Sequence, residues 1–206
     1  MSLISPIFAA DTDNQSGIEL IIHVFIGVAF VEELCKWIMV YKFSFNDSAF
    51  DEMYDAILYC VFVALGFACF ENILYVFDSG LGTAVVRALL AVPGHACDGV
   101  FMGYYLGIAK RGALNDRKDL KTKYLALSLI VPTITHGIYD YCLMNGSGLF
   151  ILIFLVFVIS MYIYIFKKVK HVSSKGEKIR NVSVFCPNCG TKFVGKFCAK
   201  CGTKRD

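Results

Sequence analysis

The residues best suited to chemistry in this sequence are carboxylates, histidines and a lysine that lie within long apolar segments. The first group is Glu32, Glu33 and Lys36, inside an apolar run over 18–41. At helical spacing Lys36 follows Glu32 by four residues and Glu33 by three, so the three charges can share one face and partly neutralise each other. Charges at bilayer depth are tolerated where they pair or face a wet cavity, so we interpret this group as part of a functional site.

Three further apolar segments carry groups of the same kind. They are Glu71 with its neighbour Asn72, His95 with Asp98, and His136 with Asp140. The last two residues are four apart, so the carboxylate can accept a hydrogen bond from one ring nitrogen and leave the other free for a metal ion, a water molecule or an oxyanion. From the rise per helical residue, all these groups lie between the middle of the bilayer and its outer half. We therefore expect them to meet around one chamber.

These residue types suit the hydrolysis of a peptide bond. The reaction needs an activated water, a stabiliser for the tetrahedral oxyanion and a proton for the leaving amine. A glutamate can activate the water, while His95, His136 or Asn72 can contact the oxyanion. In a metal-dependent alternative, Glu71, His95 and His136 hold a zinc ion and Glu33 is the base. The sequence has no His-Glu-x-x-His motif and leaves both mechanisms open.

The elements that must position these groups are membrane helices. Of the 206 residues, 57% are hydrophobic and 18% are charged, with a mean hydropathy of +0.60, a composition that excludes an ordinary soluble globular domain. Several segments reach the roughly 17 to 25 apolar residues that a membrane helix needs. We predict an all-α polytopic membrane protein with five spans, at 18–41, 56–77, 84–109, 124–144 and 148–166.

Basic residues set the predicted orientation. They follow the first, third and fifth spans and are missing from the turns after the second and fourth. By the positive-inside rule, the amino terminus lies outside the cell membrane and the carboxyl terminus in the cytoplasm. We expect 1–17 to be an extracytoplasmic tail, since it has no basic region of the kind that begins a signal peptide. Residues 167–183 are predicted to be a basic juxtamembrane linker.

The C-terminal segment 184–206 carries two cysteine pairs, Cys186-x-x-Cys189 and Cys198-x-x-Cys201, each followed by glycine. This spacing is typical of a tetrahedral zinc site with four thiolate ligands. So small a segment lacks its own core and should fold only with metal bound. We predict a cytoplasmic zinc ribbon, a small β module that docks a protein or regulates the membrane domain. Nucleic acid is not the expected partner, because the lysines of the segment suit a solvated surface.

Four strings in the apolar region resemble the motifs of the PrsW family of intramembrane proteases. They are VEELCKW at 31–37, FACFENILY at 67–75, PGHACDGVFMGYYLG at 93–107 and THGIYD at 135–140. That family is distantly similar to the CAAX prenyl proteases and the bacteriocin-processing membrane proteases.

The resemblance implies a bacterial protease in the membrane that cleaves a membrane-anchored protein, such as a regulatory anti-sigma factor. It implies that Glu32 and Glu33 are the catalytic glutamates. Glu71, His95 and His136 would complete the site, and Asp140 and Lys36 would support it.

Two other interpretations compete with a protease. A membrane transporter or sensor would use the same buried charges to bind an ion or relay protons. A family member without activity would act as a scaffold through its zinc ribbon. The full set of ionisable groups disfavours the scaffold, because a degenerate site should have lost some of them.

Overall fold

The computed structural model describes residues 17–179, 184–193 and 197–204. Most of the predicted amino-terminal tail, and the end of the predicted linker, lie outside the described residues. The described chain is mainly helical. Its helices are α1 (Gly17–Ile22), a π-helical segment (His23–Phe30), α2 (Val31–Phe43), α3 (Met53–Ser79), α4 (Leu81–Leu114), α5 (Lys118–Asn145) and α6 (Gly148–Lys175).

Three helices in the described part of the chain have the length and hydropathy of a membrane span, namely α3, α4 and α6. The predicted first span coincides with α1, the π-helical segment and α2, which continue into one another because Ile22 and Val31 keep right-handed helical dihedrals. The predicted fourth span lies in α5, whose histidine, threonine and aspartate residues lower its hydropathy. An all-α membrane protein is therefore confirmed, while the count of five spans stays a prediction.

Helices α3 and α4 form an antiparallel hairpin that turns at Gly80, where φ is +81°. A stripe of glycines on α4, Gly99, Gly103 and Gly107, faces α3. A Cβ atom built on Gly103 would lie 2.5 Å from both the Cα atom of Ile57 and the carbonyl oxygen of Ala56. Only glycine permits so close an approach of two helix backbones, so this stripe sets the distance between α3 and α4.

The segment after α6 is attached to the loop between α2 and α3. The backbone N–H of Met53 donates to the carbonyl oxygen of Glu177 at 2.9 Å, and that of Ile179 donates to Asp51 at 2.6 Å. Lys178 pairs with Asp51 and with Glu52. The side chain of Ile179 is fully buried in the same apolar cluster as the residues at the start of α3. The prediction of a linker from residue 167 is wrong for its first half, because helix α6 continues to Lys175. The contacts above hold 177–179, the part that follows α6, against the helical domain.

The C-terminal segment contains two short strands, β1 (Val184–Phe185) and β2 (Lys192–Phe193). They pair antiparallel, with Val184 opposite Phe193. A single bridge joins Phe197 to Lys204. This small β module carries the two cysteine pairs described below.

Candidate active site

Four helices bring their ionisable side chains into one buried cluster. Each of these side chains belongs to a residue that is at most 6% exposed. The members are Glu32, Glu33 and Lys36 from α2, Glu71 from α3, His95 and Asp98 from α4, and His136 from α5. The convergence expected from the sequence is therefore present, although the residues lie up to 104 positions apart in the chain.

Lys36 lies at the centre of the cluster. Its Nζ atom donates to Glu33 Oε1 at 2.6 Å and lies 3.9 Å from Glu32 Oε2. The same atom lies 2.8 Å from His95 Nδ1. Because an ammonium group can only donate, His95 Nδ1 must accept, and the ring hydrogen of His95 must then reside on Nε2.

His95 Nε2 faces Glu71. The distance from this nitrogen to Glu71 Oε2 is 3.1 Å, so the protonated Nε2 donates to the carboxylate. Both nitrogens of His95 are thus occupied, one by Lys36 and the other by Glu71. The Lys36 Nζ atom lies 4.7 Å from the centroid of the Phe67 ring, a cation–π contact on the apolar side of the cluster.

His136 is held between carboxylates on two helices. Its Nε2 atom lies 3.3 Å from Asp140 Oδ2, which is the contact predicted from the four-residue spacing. Its Nδ1 atom lies 2.9 Å from Glu33 Oε1. The sequence predicted that this second nitrogen stays free for a metal, a water or an oxyanion. The structure differs, because Glu33 on α2 packs directly against α5.

Asp98, to which no role was assigned from the sequence, completes this side of the cluster. The Thr135 hydroxyl donates to Asp98 Oδ1 at 2.6 Å. Asp98 Oδ2 lies 3.9 Å from His136 Nδ1. Together with Glu33, Asp98 therefore supplies negative charge on one side of the His136 ring.

Two carboxylate oxygens in the cluster, Glu32 Oε2 and Glu33 Oε2, are buried without a hydrogen-bond partner among the described residues. Glu32 Oε2 lies 3.8 Å from His136 Nε2, too far for a hydrogen bond but close enough for charge attraction. Buried carboxylate oxygens are normally hydrogen-bonded, so such a pair marks a place where a water molecule or a cation can bind.

The donors fit a divalent metal ion in two overlapping arrangements. The donor atoms of Glu33, His95, Asp98 and His136 lie within 4.8 Å of one another, as do those of Glu32, Glu71 and His95. Carboxylate and imidazole donors of this kind suit zinc and other divalent metals. The set predicted from the sequence was Glu71, His95 and His136. The structure does not bring these three residues together as one set, because His136 contacts Glu33 and Asp140 whereas Glu71 contacts His95.

Arg87 on α4 also contacts the cluster, although no role was predicted for it. Its Nη2 atom lies 2.8 Å from Glu71 Oε2, and its Nε atom donates to Asn72 Oδ1 at 2.9 Å. The structure therefore places Asn72 beside Arg87, where its carbonyl oxygen is already engaged. Arg87 is the single arginine of the predicted span 84–109, which has no lysine, and it precedes His95 by eight residues, so the sequence already contained this signal.

Comparisons with known proteins identify the family of this chain. A model of the PrsW family of intramembrane metalloproteases matches residues 2–165. The curated relatives include three called Protease PrsW, from Halalkalibacterium halodurans (41% identical, covering 73% of this chain and 67% of the relative), Geobacillus kaustophilus (43%, covering 59% and 52%) and Bacillus subtilis (38%, covering 81% and 74%). The chain belongs to the PrsW family.

Membership makes this PrsW-family chain an intramembrane protease, and the family description adds that such enzymes are metalloproteases. The matched segments span between about half and three quarters of the length of those three relatives. No solved structure matches the chain significantly. The family match ends at residue 165, so the C-terminal β module lies outside it.

The C-terminal module forms a second candidate metal site. The four thiols of Cys186, Cys189, Cys198 and Cys201 lie within 4.8 Å of one another. Closest are the Sγ atoms of Cys186 and Cys201, 3.4 Å apart, and those of Cys189 and Cys198, 3.6 Å apart. A tetrahedral zinc ion with bonds of about 2.3 Å places its sulfur ligands about 3.8 Å apart, so the four thiols fit zinc.

Each cysteine pair is shaped by the same turn. The N–H of Gly190 donates to Cys186 and that of Gly202 donates to Cys198, both at 2.8 Å. Both glycines have positive φ, +66° and +72°, which explains why glycine follows each pair. The hydroxyl of Thr203, 3.1 Å from Cys201 Sγ, lowers the pKa of that thiol to about 6 and so favours the thiolate that a metal requires.

Proposed function

We propose that this PrsW-family chain hydrolyses a peptide bond of a membrane-anchored protein at the outer half of the bilayer. A regulatory protein of the anti-sigma type is the substrate class that the family resemblance suggests. The proposed topology has five spans, with the amino terminus outside and the carboxyl terminus in the cytoplasm. The observation that carries the proposal is a pair of buried carboxylate oxygens beside two imidazoles, Glu32 Oε2 and Glu33 Oε2, which have no hydrogen-bond partner in the described part of the chain.

Glu32 is the better placed of the two glutamates to activate water. Glu33 Oε1 already accepts hydrogen bonds from both Lys36 and His136, so Glu33 acts mainly to hold these two side chains in place. Glu32 Oε2 lies 3.8–3.9 Å from His136 and Lys36 and has no hydrogen-bond partner among the described residues, so it is available to accept a proton from water. General-base catalysis of this kind contributes typically 10²- to 10⁴-fold.

His136 and Lys36 supply the remaining requirements of hydrolysis. His136 Nε2, 3.8 Å from Glu32 Oε2, can return the proton to the leaving amine. The Lys36 ammonium, fixed between Glu33 and His95, provides positive charge where the oxyanion forms. Asp140 orients His136 through its contact at 3.3 Å. The burial of the whole cluster strengthens each of these electrostatic contacts.

The family description names a metal, and the chain offers donors for one. Glu32, Glu71 and His95 would hold it more readily than Glu33, His95, Asp98 and His136, because Glu33 Oε1 already binds both Lys36 and His136. His95 would then offer Nε2 to the metal in place of the hydrogen that this atom donates to Glu71. A bound divalent metal supplies Lewis-acid activation of the carbonyl or of a water molecule. In this alternative Glu33, with its own unpartnered Oε2, is the base.

The proposal is tested by cleavage of a single-pass membrane reporter with the purified full chain in detergent. Glu32→Gln, Glu33→Gln and His136→Ala should each abolish cleavage without loss of expression, whereas Glu177→Gln, an exposed glutamate far from the cluster, should leave it unchanged. Full activity in the Glu33 and His136 variants would reject the assignment. Metal analysis and inhibition by a chelator separate the metal-dependent mechanism from the glutamate mechanism.

A transporter or sensor is the second candidate, since the contacts run without a break from Asp140 through His136, Glu33 and Lys36 to His95. Such a series of acids, bases and donors is also what proton transfer requires. Proton-coupled flux in liposomes, with no cleavage of any reporter, would favour this candidate.

For the C-terminal module we propose a structural zinc ion held by the four cysteines, and a role in docking a cytoplasmic protein. One equivalent of zinc should copurify with the full chain. Cys198→Ser should lower the zinc content, because three remaining thiolates bind zinc more weakly than four. Zinc content that is unchanged in this variant would contradict the assignment.

A further inference from the structure

Arg87 is the one arginine of the predicted span 84–109, and it makes three directed contacts with α3. Its guanidinium Nη2 atom binds Glu71 Oε2 at 2.8 Å, and its Nε atom donates to Asn72 Oδ1 at 2.9 Å. The central guanidinium carbon lies 3.7 Å from the centroid of the Tyr75 ring. The side chain is 18% exposed, so it is largely enclosed by these partners. These three contacts fix both the position and the orientation of the guanidinium group.

The contact with Glu71 connects Arg87 to the catalytic cluster. A single oxygen, Glu71 Oε2, receives Arg87 Nη2 at 2.8 Å and His95 Nε2 at 3.1 Å. A carboxylate that accepts from both groups must point toward His95, and it must be ionised to pair with the guanidinium. The ionised carboxylate in turn requires that His95 carries its hydrogen on Nε2.

This tautomer of His95 is the one that the centre of the cluster needs. With the hydrogen on Nε2, His95 Nδ1 is an acceptor and can bind the Lys36 ammonium at 2.8 Å. Lys36 then donates to Glu33 at 2.6 Å. If His95 carried its hydrogen on Nδ1 instead, that hydrogen would point at the Lys36 ammonium and the contact would be lost.

Arg87 supplies directed contacts between α3 and α4 near Glu71. The glycine stripe that brings the two helices together runs from Gly99 to Gly107, on the far side of His95 from Arg87. In the half of the hairpin next to Gly80, both helices carry exposed large apolar residues: Phe77 is 85% exposed and Leu89 is 70% exposed. The contacts of Arg87 therefore act together with the hydrogen bond from His95 to fix Glu71 in this half.

We propose that Arg87 is a positioning residue for the peptidase site: it holds the Glu71 carboxylate against His95 and thereby keeps Nδ1 of His95 directed at Lys36. This inference rests on the proposed function. Arginine is required because its planar group binds Glu71 and Asn72 through two different nitrogens while stacking on Tyr75. A lysine would keep the charge but could not make all three contacts.

The test compares Arg87→Gln and Arg87→Lys with the wild type in the reporter assay. Arg111→Gln, which removes an exposed arginine at the other end of α4, is the matched control. We expect Arg87→Gln to lower kcat by about 10- to 100-fold with little change in KM, as is typical when a group supporting a ligand or catalytic residue is removed. Arg87→Lys should recover part of this loss, and Arg111→Gln should retain wild-type kcat.

A double-mutant cycle with Glu71→Gln shows whether Arg87 acts through Glu71. Once the carboxylate is gone, adding Arg87→Gln should cause little further loss, because the two residues act as one unit. Losses in kcat that multiply in the double variant would overturn the proposal. So would wild-type kcat in Arg87→Gln.

A readout without proteolysis separates this inference from the proposed function. In nitrogen-15 NMR of the full chain with labelled histidines, His95 should show the Nε2–H tautomer in the wild type, and Arg87→Gln should lose it while Arg111→Gln keeps it. If no reporter is cleaved but the tautomer changes in this way, the positioning role stands and the peptidase function falls. An unchanged tautomer in Arg87→Gln would refute the positioning role.

Discussion

Replacing Gly103 with alanine should disrupt the candidate active site from a distance of about two helical turns. Gly103 faces α3 at the closest approach of the α3–α4 hairpin, eight residues after His95. An added Cβ would meet the Cα atom of Ile57 and the carbonyl oxygen of Ala56, both at 2.5 Å. These are backbone atoms, which cannot rotate away as the end of a side chain can. The two helices must therefore move apart.

The displacement follows from the contact distances. Ordinary van der Waals contact begins at 3.4 Å, so a Cβ at 2.5 Å requires the helices to separate by about 0.9 Å. The contact between His95 Nε2 and Glu71 Oε2, now 3.1 Å, lies on the same two helices and would lengthen beyond hydrogen-bond range. Overpacking of this kind costs about 1–3 kcal/mol of stability. A misplacement of about 1 Å at a catalytic site can cost on the order of 100-fold in rate.

The assay measures kcat on the membrane reporter together with the thermal unfolding of the detergent-solubilised chain. Gly66→Ala is the matched control, because Gly66 lies on α3 and a Cβ there meets nothing within 4 Å. We expect Gly103→Ala to lose both activity and stability and Gly66→Ala to keep both. Wild-type kcat and stability in Gly103→Ala would refute the close approach of α3 and α4 on which this reasoning depends.

Two further predictions concern stability. Ser128→Ala removes the acceptor of the Trp37 indole N–H, 2.8 Å away, and should lower the free energy of unfolding by about 1 kcal/mol. The emission of this single tryptophan should shift and the unfolding midpoint should fall. An unchanged midpoint would contradict the prediction. Ile179→Ala should cost about 2–5 kcal/mol because this side chain is fully buried. Lys178→Ala removes only surface ion pairs and should lower the stability much less. Equal losses in these two variants would show that the linker is not anchored by Ile179.

Contacts within one helix could be predicted from the sequence with good accuracy. Lys36 pairs with Glu33 at the predicted three-residue spacing, and His136 meets Asp140 at the predicted four-residue spacing. Helical geometry fixes which residues share a face, so these pairs follow from local spacing alone. The two cysteine pairs are a similar case, because each forms one turn closed by its own glycine.

Contacts between helices could be anticipated only as a general convergence. The contact of Lys36 with His95 joins residues 59 positions apart, and that of His136 with Glu33 joins residues 103 apart. Which nitrogen meets which oxygen depends on how each helix is rotated and how closely it packs. For this reason the second nitrogen of His136, the metal-binding sets and the role of Arg87 became clear only in the structure.

Reading the chain alone is enough to establish that charged and imidazole groups lie within apolar segments, in the order and spacing of the PrsW motifs, and that four cysteines are spaced for zinc. These features are local, because hydropathy, helical period and turn glycines act over a few residues. The tertiary structure alone decided that Lys36 lies between Glu33 and His95, and that Arg87 holds Glu71 from the neighbouring helix. Such contacts depend on the distance between helices, which here is set by backbone approach at the glycine stripe of α4 and cannot be read from the spacing within any single helix.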